Sequence, residues 1–325
     1  MLSRSSLLFC NGLRNCHGRD LIQPLKKRLL DSKFQKNSCR DSSRFSPRRS
    51  AYRTEPTFLS QVKVPLLFTA ATGSACLLGH KYLGTLVSQR SYDSRSAFNW
   101  WSSKPDWFKT YWLICGSCVT VFASYRLAML SARQVPSFLR FMQTYFVNKG
   151  NPSNALESCV QLVLSSFCHI SPLHLGINMY ILYNVTEALA PEIGKERFLG
   201  AYLFSGVVSG FTSTCYQLIS GRCQGAVGAS GAILGLLGMV ILRHPEYNFH
   251  IIFLPFLTIP GPAVFAGMAT IDFLGCLRGW AFFDHAGHLG GLFSGVVWEF
   301  VTGKSITKSF AFFNEAETKP GNKKS

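Results

Sequence analysis

The stretch Gly228-Ala229-Ser230-Gly231-Ala232-Ile233-Leu234-Gly235-Leu236-Leu237-Gly238-Met239-Val240-Ile241-Leu242 carries no charge, and it sets Gly231, Gly235 and Gly238 at helical spacing. Each glycine costs a helix about 1 kcal/mol relative to alanine. A glycine stripe on an apolar helix is useful where another backbone must come very close, as in membrane bundles. A second stripe, Gly287, Gly291 and Gly295, repeats every four residues beside His288. Together they predict two transmembrane helices in close contact, with Ser230 and His288 near the seam.

The bulk composition agrees with membrane residence. Over 325 residues, 47% are hydrophobic and only 15% charged, with a mean hydropathy of +0.17. A bilayer core of about 30 Å needs roughly 20 apolar residues per helix. Seven segments qualify, near residues 64–86, 107–128, 171–190, 198–219, 228–242, 263–277 and 284–301. Ser171-Pro172 predicts a helix start, with Ser as N-cap and Pro in the first turn. Residues 129–158 hold Arg133, Arg140 and Lys149 among aromatics and Leu, which predicts an amphipathic insert at the interface. The apolar stretch 249–259 is too broken by Pro255, with Pro260 and Pro262 following, to span. The expected fold class is an all-α polytopic membrane protein.

The net charge of +17 is concentrated near the start, where thirteen Lys and Arg up to Glu55 face only Asp20, Asp31, Asp41 and Glu55. Such an Arg-rich, Ser-rich, acid-poor segment without a continuous apolar run has the composition of a mitochondrial presequence. A basic arm that binds acidic lipid is the plainer alternative, and an otherwise membrane-like chain argues against nucleic acid. The eleven cysteines fall largely in apolar segments and read as small core residues. Cys115 and Cys118 have redox-motif spacing but lie within a span.

Polar side chains at membrane depth cost several kcal/mol unless paired, so they mark functional candidates. His174, Asn178, Ser230 and His288 all lie near the start of a span whose start faces one side, and can share one shallow cavity. Ser230 opens a helix whose free N–H groups would favour an oxyanion. A Ser on one Gly-lined helix and a His on the other can form a hydrogen-bonded nucleophile and base. His174 and Asn178, one turn apart, can donate to a developing oxyanion or merely bond neighbouring helices. A small packing residue remains the bland reading of Ser230 alone. His169, His174, His285 and His288 also admit a metal reading, although no acidic third ligand is evident. Asp272, alone in its span, is expected to serve packing or conformation, and Asp284 to cap the last helix.

These residues resemble the rhomboid family of intramembrane serine proteases. The resemblance rests on Gly228-Ala229-Ser230-Gly231, on His288-Leu289-Gly290-Gly291 and on the run from His169 through His174 to Asn178. The extra first span, the basic arm and the Phe282–His288 and Ile251–Pro255 stretches are similar to the mitochondrial presenilin-associated branch. The resemblance implies a six-helix core over residues 107–303. It places an added helix and linker in 57–106, a presequence and basic arm in 1–56 and a polar tail in 304–325. It further implies Ser230 as nucleophile, His288 as base and acid, and an oxyanion site from the Ser230 N–H, His174 and Asn178, with no Asp, metal or cofactor required. Implied partners are single-span membrane substrates, the lipid bilayer of the mitochondrial inner membrane and membrane complexes. One departure stands out: many bacterial members carry a Tyr four residues after the nucleophile to stack on the His, and here that position is Leu234. An inactive client-binding relative, or a transporter with broken spans, are the competing classes.

Overall fold

The computed structural model describes residues 58–88, 99–150, 154–222, 224–251 and 254–302. The expected presequence (1–56) and polar tail (304–325) lie outside the described residues. Helices occupy all seven segments that the hydropathy pattern singles out: α1 (Phe58–Ser88), α2 (Asp106–Leu130) and, after two insert helices, α3 (Pro136–Tyr145) and α4 (Ala155–Leu164), then α5 (Pro172–Ile193) and α6 (Lys195–Ser220). They continue with α7 (Ser230–Arg243), the strands β1 (Asn248–Ile251) and β2 (Leu254–Pro260), α8 (Gly261–Arg278) and α9 (His285–Thr302). Three of them, in α1, α2 and α6, are long and apolar enough to cross a membrane by length and composition. A fourth span results if the pair Ala155–Phe167 and Pro172–Ile193, bent by 79°, counts as one.

The helix ends follow local chemistry. Ser171 accepts the N–H of His174 at 3.1 Å with Pro172 in the first turn, the start that the sequence predicts. Asn154 caps α4 by accepting the N–H of Glu157. Gly221 and Gly279 end α6 and α8 in the left-handed conformation, where a side chain would be strained.

Two expectations need correction. The fold is not purely helical, because residues 248–260 form an antiparallel hairpin, with Asn248 opposite Pro260 and Phe249 opposite Ile259. The prolines that stop a helix there sit at a strand's ends and edge, where a missing donor is tolerated. The insert also does not lie wholly at a surface. Its last residues enter α4, which buries Glu157 and Ser158 of the insert, with Gln161 and Leu162 just beyond it, against the bundle.

The core is built around α7. Its Ile233, Leu236, Met239 and Val240 are buried against Leu182, Val185 and Leu189 of α5, while Ala201 and Tyr202 of α6 join the same cluster. On its other face α7 meets α9 at backbone contact. A Cβ on Gly291 would overlap the Gly231 carbonyl, and one on Gly295 the Gly235 carbonyl, so both positions exclude any side chain. Ser205 and Ser209 of α6 fill the space beside Gly235 and Gly231. By contrast α8 touches the bundle chiefly through α9 and leaves Ile271, Phe273, Leu274 and Leu277 exposed. Its lipid-like face and thin attachment make it the least anchored helix of this half.

At the end of the bundle formed by the C-termini of α5, α7 and α9, charges are buried together. Arg243 contacts Glu299 at 2.6 Å and Glu192 at 3.6 Å, while Arg197 reaches Glu299 at 3.6 Å. Glu299 is 3% exposed. Paired this way, the charges avoid the penalty of isolated burial.

Candidate active site

Four helix ends converge opposite that charged end: the starts of α5, α7 and α9 and the C-terminal half of α8. They surround a cavity of about 220 Å³ whose lining includes His174, Ser230, Trp280, Phe283, His285 and His288. Ser230 is the first residue of α7, where the first-turn N–H groups have no acceptors within the helix. Gly228 enters the turn at φ +131°, and the His174 ring lies against its Cα, leaving no room for a Cβ. Only glycine suits both demands.

Ser230 Oγ lies 2.8 Å from His288 Nε2. The glycine seam between α7 and α9 makes this possible, because any side chain at Gly291 would push the two helices apart. Ser209 packs beneath the pair, against Gly231 and Gly287. Asp284 accepts the N–H of Gly287 at 3.1 Å and caps α9, as the sequence suggests.

The two other candidates are placed differently. His174 lines the cavity beside Gly228, and its ring meets His169 edge-on at 5.1 Å. His169 is fully buried, and its Nε2 accepts the N–H of Ala229 at 3.4 Å, which ties the loop before α5 to the turn before Ser230. Asn178 is buried one turn deeper, and its amide donates to the His174 carbonyl at 2.8 Å. That bond uses one of its two N–H groups.

Asp272, expected to serve packing or conformation, joins α8 to α9 through a buried pairing. Its Oδ1 lies 2.7 Å from His285 Nδ1 and 3.4 Å from His288 Nδ1. The sequence contains a signal for this, because Asp272 is the one acid within the apolar α8. What the sequence lacks is the register that sets α8 beside α9. Phe283 also borders the His288 ring, at 6.1 Å between centroids and 34° between planes. Among the described residues no group of three or more His, Cys, Asp or Glu can hold a metal ion.

An activatable hydroxyl, an imidazole on its far side and helix-terminal N–H groups are the parts that acyl transfer requires. Residues 157–305 match the rhomboid domain. The chain is 35% identical over 216 residues to the human presenilin-associated rhomboid-like protein, mitochondrial, which covers 66% of this chain and 54% of that protein. It is 32% identical over 218 residues to presenilin-associated rhomboid-like protein A, mitochondrial, of Danio rerio, covering 63% and 56%. With Rhomboid protein 1, mitochondrial, of Saccharomyces cerevisiae it shares 29% identity over 186 residues, covering 56% and 52%. The chain thus spans about half the length of the curated relatives it matches.

Proposed function

The chain belongs to the rhomboid family, and from that premise we propose that it is an intramembrane serine protease that cleaves single-span membrane proteins in the mitochondrial inner membrane. The observation that carries the proposal is the 2.8 Å approach of Ser230 Oγ to His288 Nε2 at the start of a short, glycine-seamed helix. In this reading all seven helices cross the membrane, one ahead of a core of six. The 14 residues of α7 reach about 21 Å at 1.5 Å per residue. Against a hydrocarbon core of about 30 Å, such a helix begins below the membrane surface and draws Ser230 down with it.

The chemistry follows from the geometry. Ser230 Oγ attacks the scissile carbonyl carbon as its proton passes to His288 Nε2. The new oxyanion faces the Ser230 N–H and the His174 side, with the free Asn178 N–H as a third donor once a substrate opens the site. Collapse breaks the C–N bond, and His288 returns the proton to the leaving amine. Water reaching the cavity then attacks the acyl ester, with His288 again taking the proton, and Ser230 is restored. The substrate helix enters between α8 and the bundle, where the attachment is thinnest.

The location rests on the basic N-terminal segment and on the mitochondrial relatives. Roles in mitochondrial dynamics, mitophagy or apoptosis fit that location. Ser230→Ala is expected to abolish cleavage of a single-span reporter while leaving protein abundance unchanged. A fluorophosphonate should label wild type but neither Ser230→Ala nor His288→Ala. Retained cleavage by Ser230→Ala refutes the assignment. An inactive client-binding role would instead predict reporter binding with no labelling of wild type.

A further inference from the structure

If Nε2 of His288 is to accept the Ser230 proton, its ring proton must sit on Nδ1, and that Nδ1–H needs an acceptor to hold the ring in this tautomer and orientation. We propose that Asp272 is the positioning residue that supplies this acceptor, and that His285 holds the Asp272 carboxylate in place for it. The inference rests on the Ser230–His288 chemistry proposed above.

Three observations carry it. The first is the geometry of the carboxylate: one oxygen, Asp272 Oδ1, faces both imidazoles, at 2.7 Å from His285 Nδ1 and 3.4 Å from His288 Nδ1. Because a carboxylate only accepts, His285 donates from Nδ1, and its Nε2 is buried without a partner. A short settling of α8 toward α9 brings the same oxygen within hydrogen-bond reach of His288.

The second is that the pairing is built rather than incidental. Asp272 is 6% exposed on an apolar helix, where an unpaired carboxylate would be costly. One turn along the same face, Gly275 has no side chain, and a Cβ there would overlap the His285 ring. The ring therefore lies flat on the α8 backbone. Trp280, Phe282 and Phe283 surround it at centroid distances of 5.8, 5.4 and 6.1 Å.

The third is the absence of a rival among the described residues. Asp284, the other acid near His288, is occupied with the Gly287 N–H and is covered by the α9 start. His174 approaches from α5 but offers no anionic acceptor. Leu234, four residues after Ser230, brings no ring or polar group to orient the imidazole. Asp272 does by hydrogen bonding what that position cannot do by stacking.

The test uses detergent-solubilised full-length protein and a fluorogenic single-span peptide. Asp272→Asn and Asp272→Ala should lower kcat about 10- to 100-fold, less than the ~10⁴ of a tightly bonded triad, with KM within about twofold. Formate, a small carboxylate, should restore part of the kcat of Asp272→Ala, and chloride should not. His285→Gln should produce a smaller loss in kcat. If both Asp272 variants keep kcat within about threefold of wild type, the proposal falls. A loss that comes with a lowered Tm and no response to formate makes Asp272 a structural ion-pair partner and also overturns it. Wild type that neither cleaves nor labels with fluorophosphonate overturns the protease reading itself.

Discussion

Gly291→Ala is the sharpest probe of how the glycine seam supports the site. The substitution adds one methyl, and in a soluble exposed helix alanine would stabilise by about 1 kcal/mol. Here the methyl overlaps the Gly231 carbonyl, a backbone atom that cannot rotate aside. Restoring an ordinary contact above 3.0 Å requires α7 and α9 to separate by about 1 Å, and overpacking of this kind costs about 1–3 kcal/mol. Gly291 lies one turn from His288 and Gly231 is adjacent to Ser230, so the separation falls on the reacting pair. A contact of 2.8 Å becomes one of about 3.8 Å, beyond hydrogen-bond reach. Displacements of about 1 Å can cost about 10²-fold in rate. The assay is the rate of fluorophosphonate labelling of Ser230, read beside the thermal midpoint in detergent. Gly116→Ala on α2, where nothing lies within 4 Å of the added carbon, is the control and should leave both unchanged or slightly improved. If Gly291→Ala labels within about twofold of wild type, the seam does not set the Ser230–His288 distance and the reasoning fails.

Two further outcomes are expected. Glu299→Ala leaves Arg243 and Arg197 buried without their shared carboxylate and should destabilise by about 3–5 kcal/mol, measured by thermal or chaotrope unfolding in detergent; an unchanged midpoint would show that these arginines find water instead. Tyr216 and Arg222 hold the C-terminal carbonyls of α8, at Cys276 and Gly279, so Tyr216→Phe with Arg222→Ala should loosen that end and raise cleavage of a bulky single-span reporter by several-fold. Slower or unchanged cleavage would place substrate admission elsewhere than beside α8.

Much of the helical framework is legible in the amino-acid sequence, for reasons that particular residues make plain. Ser171-Pro172 marks a start because capping is a local matter, and the helix begins at Pro172. The stripes of Gly231 and Gly235 and of Gly291 and Gly295 announce a close contact because only backbone meeting backbone makes such glycines worthwhile. The meeting of Ser230 with His288 follows from those stripes and from their depth. Asp272 is different. Its chemistry depends on which turn of α8 lies beside His285 and His288, and a tertiary register of that kind leaves no periodic trace in one chain. The hairpin at residues 248–260 is hidden for another reason: prolines exclude a helix without saying what replaces it. The segment 228–242, counted among the spans in the sequence, forms the 14-residue α7, shorter than the helices whose length alone suffices to cross a membrane.

The seam between α7 and α9 also limits where this protein is free to change. At Gly291 and Gly295 no side chain can be added without parting α9 from α7, and at Gly231 and Gly235 an added carbon would run into Ser209 and Ser205 of α6. Such positions offer no graded choice of size or polarity, so in the protease proposed above the choice of substrate is set elsewhere. The adjustable ground is the rest of the rim: the outer face of α8 and the aromatic run of Trp280, Phe282 and Phe283. Redesign of the accepted sequence should be directed to those positions, with the seam left as it stands.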